Sequence, residues 1–413
     1  MMGPDRALDP PTALPHDRAP MSESIRAVVP ESSRLGSVAA WSFVLFAATL
    51  PWSVAPISLG VALCGALTLA CWWRPGGERW HRTPIDLPAL VWMAALVLAS
   101  LFALDPSGSW PNVKKGLLLA VVSLAAYHAR EEKTARRAVA ALLLSAAGAT
   151  IYALVRFAHD GGAFPARVRG LVGHPLTYGG QAMLLLSLCG AIALRVRDRR
   201  WRAGAIALGL LVTPALLGSF TRSAWIGTLV SFTVIVARTK ARWLPILAGV
   251  ALVTLFLLPA GYRERALSSF DLRSTWNVER LLLWDAGLSM FRDHPVTGVG
   301  LQDLHPLIER YRKPGAHEHH GHLHNVVVQV GATMGSVGLL ALIGLWIGLA
   351  RSVLASPSPS TDFGAAVRNA AVGALAGFVV AGLFEWNLGD EELVEFLSVL
   401  IGLAFAARAW RDR

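Results

Sequence analysis

Leu244-Pro-Ile-Leu-Ala-Gly-Val-Ala-Leu-Val-Thr-Leu-Phe-Leu-Leu-Pro-Ala260 carries no charge, and Gly261-Tyr-Arg-Glu-Arg265, which follows directly, carries three. A run of that length and polarity is enough for a helix through a hydrocarbon core roughly 30 Å thick, and its abrupt end marks where the chain leaves the apolar medium. Polar sequence then persists to His322, a stretch of about 60 residues, before membrane-length apolar sequence resumes.

The same apolar pattern recurs on both sides. Hydrophobic residues make up 54% of the 413, charged residues 16%, and mean hydropathy is +0.49, so a soluble globule of this length would lack the polar surface it needs. Spans are predicted near Val38–Leu50, Val54–Trp72, Leu87–Leu104, Gly116–Tyr127, Ala138–Phe157, Tyr178–Leu194, Ala203–Phe220, Ala224–Ala237, Leu244–Ala260, Gly331–Ala350, Ala366–Phe384 and Leu393–Ala407. The stretches are continuously apolar rather than alternating, which calls for helices and not a barrel. The expected fold is an all-α polytopic membrane protein with about twelve transmembrane helices and one large outer loop. Its expected organisation is a disordered tail over 1–35, nine spans over 36–260, the loop over 261–323, and three spans over 324–413. The tail holds Pro10, Pro11, Pro15 and Pro20 with scattered charges and has no signal-peptide core.

Lys and Arg fix the orientation. Alternate connections are basic, with Arg74, Arg79 and Arg82, then Arg130, Lys133, Arg136 and Arg137, then Arg195 to Arg202, then Arg238, Lys240 and Arg242. They lie on the side of the N-terminal tail and of Arg408, Arg411 and Arg413, so both termini are expected in the cytoplasm and the loop outside. This bias absorbs most of the net charge of +11, and no basic groove interleaved with aromatics appears, so nucleic acid is not an expected partner. Cys64, Cys71 and Cys189 all fall inside apolar spans, which leaves no disulfide framework and no cysteine metal site.

Basic residues on the outer side gain nothing from the orientation rule and therefore mark candidate sites. Arg222 stands in the tight turn Ser219-Phe-Thr-Arg-Ser-Ala-Trp225, where a guanidinium serves either as an interfacial anchor or as a bidentate clamp on a phosphate. In the loop, Asn277 to Phe291 has apolar residues on a helical face, and Pro295, Gly298 and Gly300 end it. Arg280 and Trp284 share a face of that helix, with Glu279 or Asp285 as the ordinary partner for Arg280. Arg167 and Arg169 are added as candidate binding residues on charge alone.

His317-Glu-His-His-Gly-His-Leu-His-Asn325 holds five of the twelve histidines. Zinc requires three or four ligands in fixed geometry, whereas this run is irregularly spaced, glycine-containing and without cysteine, so no metal is expected. A base needs only reach and a suitable pKa, and His324 at a helix start meets that lighter demand.

Thr221-Arg222-Ser-Ala-Trp225-Ile-Gly227, Glu279-Arg280-x3-Trp284 with Pro295-Val-Thr-Gly298-Val-Gly300, and His322-x-His324-Asn325 together resemble the O-antigen ligase and polymerase superfamily of bacterial membrane glycosyltransferases. The motifs occur in that family's order, and its twelve-span plan covers nearly the whole chain after the tail. The resemblance implies a GT-C-like enzyme without metal or cofactor, taking an undecaprenyl-pyrophosphate-linked O-antigen as donor at the periplasmic face of the inner membrane. In the ligase branch, lipid A-core is the acceptor and lipopolysaccharide the product. By position, Arg222 and Arg280 would hold the pyrophosphate and His324 would be the base, while His322 and Asn325 match motif positions without an equally clear role. A polymerase using a second lipid-linked glycan is the nearest alternative, and a protein O-oligosaccharyltransferase is more distant because no soluble domain is seen after Arg413. A coupled transporter is disfavoured by the lack of acidic residues at mid-depth, since Asp86, Glu385 and Glu395 lie near span ends.

Overall fold

The computed structural model describes residues 34–74, 82–269, 271–313, 321–354 and 358–410. Among them every regular element is helical. Before the polar stretch come α1 (Arg34–Thr49), α2 (Val54–Trp72), α3 (Asp86–Leu101), α4 (Pro106–Val113), α5 (Ala120–His128), α6 (Glu132–His159), α7 (Pro175–Arg195), α8 (Arg199–Gly218), α9 (Arg222–Lys240) and α10 (Leu244–Leu257). Within it lie α11 (Ala260–Leu267), α12 (Thr275–Asp293) and α13 (His305–Tyr311); α14 (Val326–Leu354), α15 (Asp362–Gly382) and α16 (Glu391–Ala406) follow.

Seven of these stretches are long and apolar enough to cross a membrane, and α1 and α3 are apolar but shorter, so the protein is a multi-pass membrane protein. One of the seven is the run Arg222–Leu257, of 36 residues. At 1.5 Å per residue it would measure about 54 Å as a single rod, far beyond a bilayer core. The backbone leaves the helical region at Lys240 (φ −149°, ψ 64°), which divides it into α9 and α10. The expected span Gly116–Tyr127 is a 3₁₀ segment over Lys114–Leu119 leading into the nine-residue α5. The expected loop helix is longer than Asn277–Phe291, covering Thr275–Asp293. The predicted tail and His317, His319 and His320 lie outside the described residues, apart from Arg34 and Leu35, which open α1.

α7 and α15 form the buried centre, and α15 packs most extensively on α9 and α7. Small residues allow it. A Cβ on Gly227 or Gly377 would run into the other's neighbourhood, and one on Gly373 would meet Ile235 and the Ser231 carbonyl. Gly373 and Gly377 on α15 therefore face Gly227 and Ser231 on α9, the close approach that small-xxx-small spacing permits in lipid, where dispersion and not water exclusion joins helices. The Ser187 and Ser231 hydroxyls, 2.6 Å apart, tie α7 to α9. Gly227 lies against Gly377 and Ala381, while Arg238 donates to Asn369 at 3.1 Å. The two helices are thus antiparallel, and the start of α9 lies beside the end of α15.

The polar stretch folds over the first half of α14 on its own small core of Leu283, Met290, Val299, Leu304, Ile308 and Leu323. Its Pro295–Gly300 segment enters a break in α14. Gly335 has φ 61° and ψ −155°, which a helix cannot accommodate, and the backbone groups freed there are satisfied from the segment. Val299 N donates to Ala332 O (2.9 Å) and Gly300 N to Thr333 O (3.0 Å); Ser336 N donates to Pro295 O (2.8 Å) and Val337 N to Val296 O (3.2 Å).

Candidate functional site

The antiparallel packing of α9 and α15 brings Arg222 at the first position of α9 to the same end of the bundle as Glu385, three residues beyond α15. Arg222 is buried and donates to Ser268 Oγ (3.2 Å) and Asn277 Oδ1 (3.0 Å). Asn277 Nδ2 donates in turn to the Ser268 carbonyl, so α11, α12 and α9 are tied at this point.

Arg280, one turn along α12 from Asn277, reaches across to Glu385, with Nη2 to Oε2 at 3.9 Å, in place of the Glu279 or Asp285 partner expected from sequence. Burial lowers the Arg280 pKa, with Glu385 opposing. Glu385 Oε1 accepts from His324 Nδ1 (2.8 Å) and from the Trp386 backbone N (3.0 Å), and lies 3.3 Å from His322 Nε2. Burial alone would push the Glu385 pKa up; the contacts to His322 and His324 outweigh it and hold the carboxyl well below its usual range. Its Oε2 is buried without a hydrogen-bond partner among the described residues.

His324 adopts φ 48°, and Phe220, two residues ahead of Arg222, adopts φ 51°. These are the described non-glycine residues at positive φ, a conformation that costs about 1–2 kcal/mol and persists only where the surroundings enforce it. Phe220 is held by stacking on Tyr262, centroids 4.5 Å apart. His324 is held by Glu385 on one side of the turn and on the other by Asn325, whose Oδ1 accepts from Val327 N and Val328 N and whose Nδ2 donates to Leu383 O. Asn325 therefore caps α14 with both ends of its amide engaged.

Two arginines complete a basic rim. Arg167 donates through Nε to Ser219 O (2.8 Å) and through Nη2 to Thr221 Oγ1 (3.3 Å), and its pKa falls to about 10 through burial and then repulsion from Arg265. Arg265 stacks on Trp276 at 4.9 Å and has its Nε buried without a hydrogen-bond partner among the described residues. The Arg265 pKa is lowered by burial first and Arg280 next. Arg169 is exposed and adds to the field without joining the cluster. Trp284 is half-buried against the loop's own core. Four guanidinium groups thus gather on the Arg280 side of the Glu385 carboxylate, an excess of positive charge suited to a multiply charged anion.

Residues 206–343 match the family model described as O-Antigen ligase. That segment of the chain is similar to O-antigen ligases. It contains Arg222, Arg265, Arg280, His322, His324 and the Pro295–Gly300 insertion, a third of the chain that holds most of the site; Arg167 and Glu385 come to it from outside. The O-antigen ligase family comprises membrane enzymes of glycosyltransferase type that work in a lipid-linked glycan and membrane context. No curated protein matches the chain.

Sequence reasoning missed two residues of this cluster. Glu385 was visible only as an acidic residue near a span end, and Arg265 as one of eight basic residues in the loop. A carboxylate in otherwise apolar surroundings, Leu383-Phe384-Glu385-Trp386, was the available signal for the first.

Proposed function

We propose that the protein transfers a glycan from undecaprenyl pyrophosphate to a sugar hydroxyl of lipid A-core, at the periplasmic face of the bacterial inner membrane, completing lipopolysaccharide. The observation that carries this reading is the single cluster in which Arg280 stands between Arg222 and Arg265 on one hand and the Glu385–His324 pair on the other. The accompanying architecture is a GT-C-like bundle of about twelve spans with both termini cytoplasmic, in which α1, α3, the segment ending in α5, and α16 also cross, following the alternation of basic connections.

In this mechanism the arginines hold the diphosphate, and their charge stabilises the leaving group as the bond between the anomeric carbon and the phosphate oxygen breaks. Glu385 accepts the Nδ1 proton of neutral His324, so any further proton goes to Nε2. The acceptor hydroxyl loses its proton to Nε2, its oxygen bonds to the anomeric carbon, and undecaprenyl pyrophosphate departs. One displacement inverts the configuration, unlike the double displacement of retaining hydrolases.

A metal-dependent variant has one observation in its favour, since ligand atoms of His322, His324 and Glu385 all lie within 4.8 Å of one another. Against it, both imidazoles approach the same carboxylate oxygen and Arg280 sits 3.9 Å from the other, a poor neighbour for a dication. The deciding experiment reconstitutes the purified protein with lipid-linked donor and either core lipid or a second donor molecule, with and without EDTA. Product on core lipid that is insensitive to chelation is the expected result. Product only on the second donor makes the protein a polymerase, and loss of turnover restored by zinc assigns the metal variant.

A further inference from the structure

A cavity of about 450 Å³, lined by none of the four arginines, opens beside the His–Glu pair. It is bounded by α3, α4, the Leu301–Leu304 turn, the first half of α14 and the Trp386–Leu388 turn, and its lining includes Gly321 and Trp386, the neighbours in sequence of His322 and Glu385. The Trp386 backbone N bonds directly to Glu385 Oε1, so the cavity wall and the pair are one construction. Its volume lies within the roughly 300–1,000 Å³ of small-molecule sites.

Its chemistry differs from that of the arginine side. Two indoles, Trp92 and Trp386, line it beside Asn112, Gln302, Asp303 and Lys115. Each polar group is fixed by a bond to the protein that leaves a complementary atom for a ligand. Asn112 Nδ2 donates to Leu301 O (2.9 Å), leaving the amide oxygen as acceptor, and Gln302 Oε1 accepts from Ser109 (2.9 Å), leaving the NH₂ as donor. Asp303 Oδ1 accepts from His305 N (3.1 Å), and Lys115 Nζ donates to Gly389 O (3.3 Å) with two further protons. Fixed donors and acceptors interleaved with aromatic faces match hydroxyl groups, which both donate and accept, on rings whose C–H faces pack on indole. With two carboxylates, Asp105 and Asp303, against one ammonium, the cavity disfavours a phosphate; a hydrocarbon chain would leave the polar lining stranded.

We propose that this cavity binds the acceptor as a neutral, hydroxyl-rich saccharide, delivering one hydroxyl to His324 from the face opposite the diphosphate. The inference rests on the transfer reaction above, in which nucleophile and leaving group must stand on opposite sides of the anomeric carbon.

The test has two arms. In steady-state kinetics with lipid-linked donor and core lipid, Gln302→Leu and Asp303→Asn are expected to raise the acceptor KM about tenfold each, the effect of one lost hydrogen bond of about 1.4 kcal/mol, with kcat and the donor KM little changed. An unchanged acceptor KM, or an equal rise in the donor KM, overturns the proposal. The second arm needs no turnover. Saturation-transfer NMR follows lipid-free core oligosaccharide, released by mild acid, against wild type, Gln302→Leu and Arg222→Ala, each first shown to elute as the wild type does. Signals kept in Arg222→Ala and lost in Gln302→Leu support the cavity even if the transfer reading itself fails. Equal signals in wild type and Gln302→Leu overturn it.

Discussion

At the residue scale the site turns on a few side chains whose partners are distant in sequence. His324→Ala is expected to lower kcat by about 100- to 10,000-fold, the usual contribution of a positioned base, in assays at saturating donor and acceptor. Glu385→Gln keeps an oxygen for Nδ1 to donate to but removes its charge. A loss of about ten- to hundredfold in kcat is expected, matching a charge-assisted bond worth about 1.5–3 kcal/mol. A third expectation concerns Asp390, whose pKa is raised to about 7 from 3.8 by burial first and then by Glu385 and Glu392. Between those values the folded protein holds a proton that the unfolded chain has released, so stability falls as pH rises through that window and levels off above it. Asp390→Asn removes this slope, and melting curves of the two proteins in detergent, compared across the window, check it. Arg222, Arg280 and His324 were legible because their residue types stand out in apolar or motif-bearing sequence. Glu385 was not, because its meaning depends on two histidines more than sixty positions upstream, and no local spacing encodes a contact made by antiparallel packing.

At the element scale, periodicity gave α12 to within two residues at each end, and continuous apolar runs located the seven stretches long and apolar enough to cross. The break in α14 was illegible. Gly335 sits among Gly331, Gly338 and Gly344, and glycines are common in membrane helices, so nothing in the pattern separates a hinge from a packing contact. The 3₁₀ entry to α5 was hidden for a similar reason, since Gly116-Leu-Leu-Leu119 reads as ordinary apolar helix. A Cβ on Gly335 would collide with the Val296 carbonyl, and one on Gly298 would collide with the Thr333 and Met334 backbone; both residues also have positive φ. Gly335→Ala and Gly298→Ala are each expected to cost about 2–4 kcal/mol, from strain and overpacking together, read as a lowered melting temperature in detergent.

At the scale of the whole molecule, the alternation of basic connections assigns two exposed positions to opposite sides of the membrane. In a background lacking the three native cysteines, Asp160→Cys is expected to react with an impermeant maleimide on intact cells, and Arg200→Cys only after permeabilisation. Reaction of both on intact cells would reverse the topology and remove the outward-facing site. The insertion of Pro295–Gly300 into α14 carries a consequence for how the entire chain comes apart. A membrane rod whose ladder is closed by a solvent-side strap has no complete fold of its own, and the strap without the rod has four unmatched peptide groups. The two are a single cooperative unit, so neither melts ahead of the other.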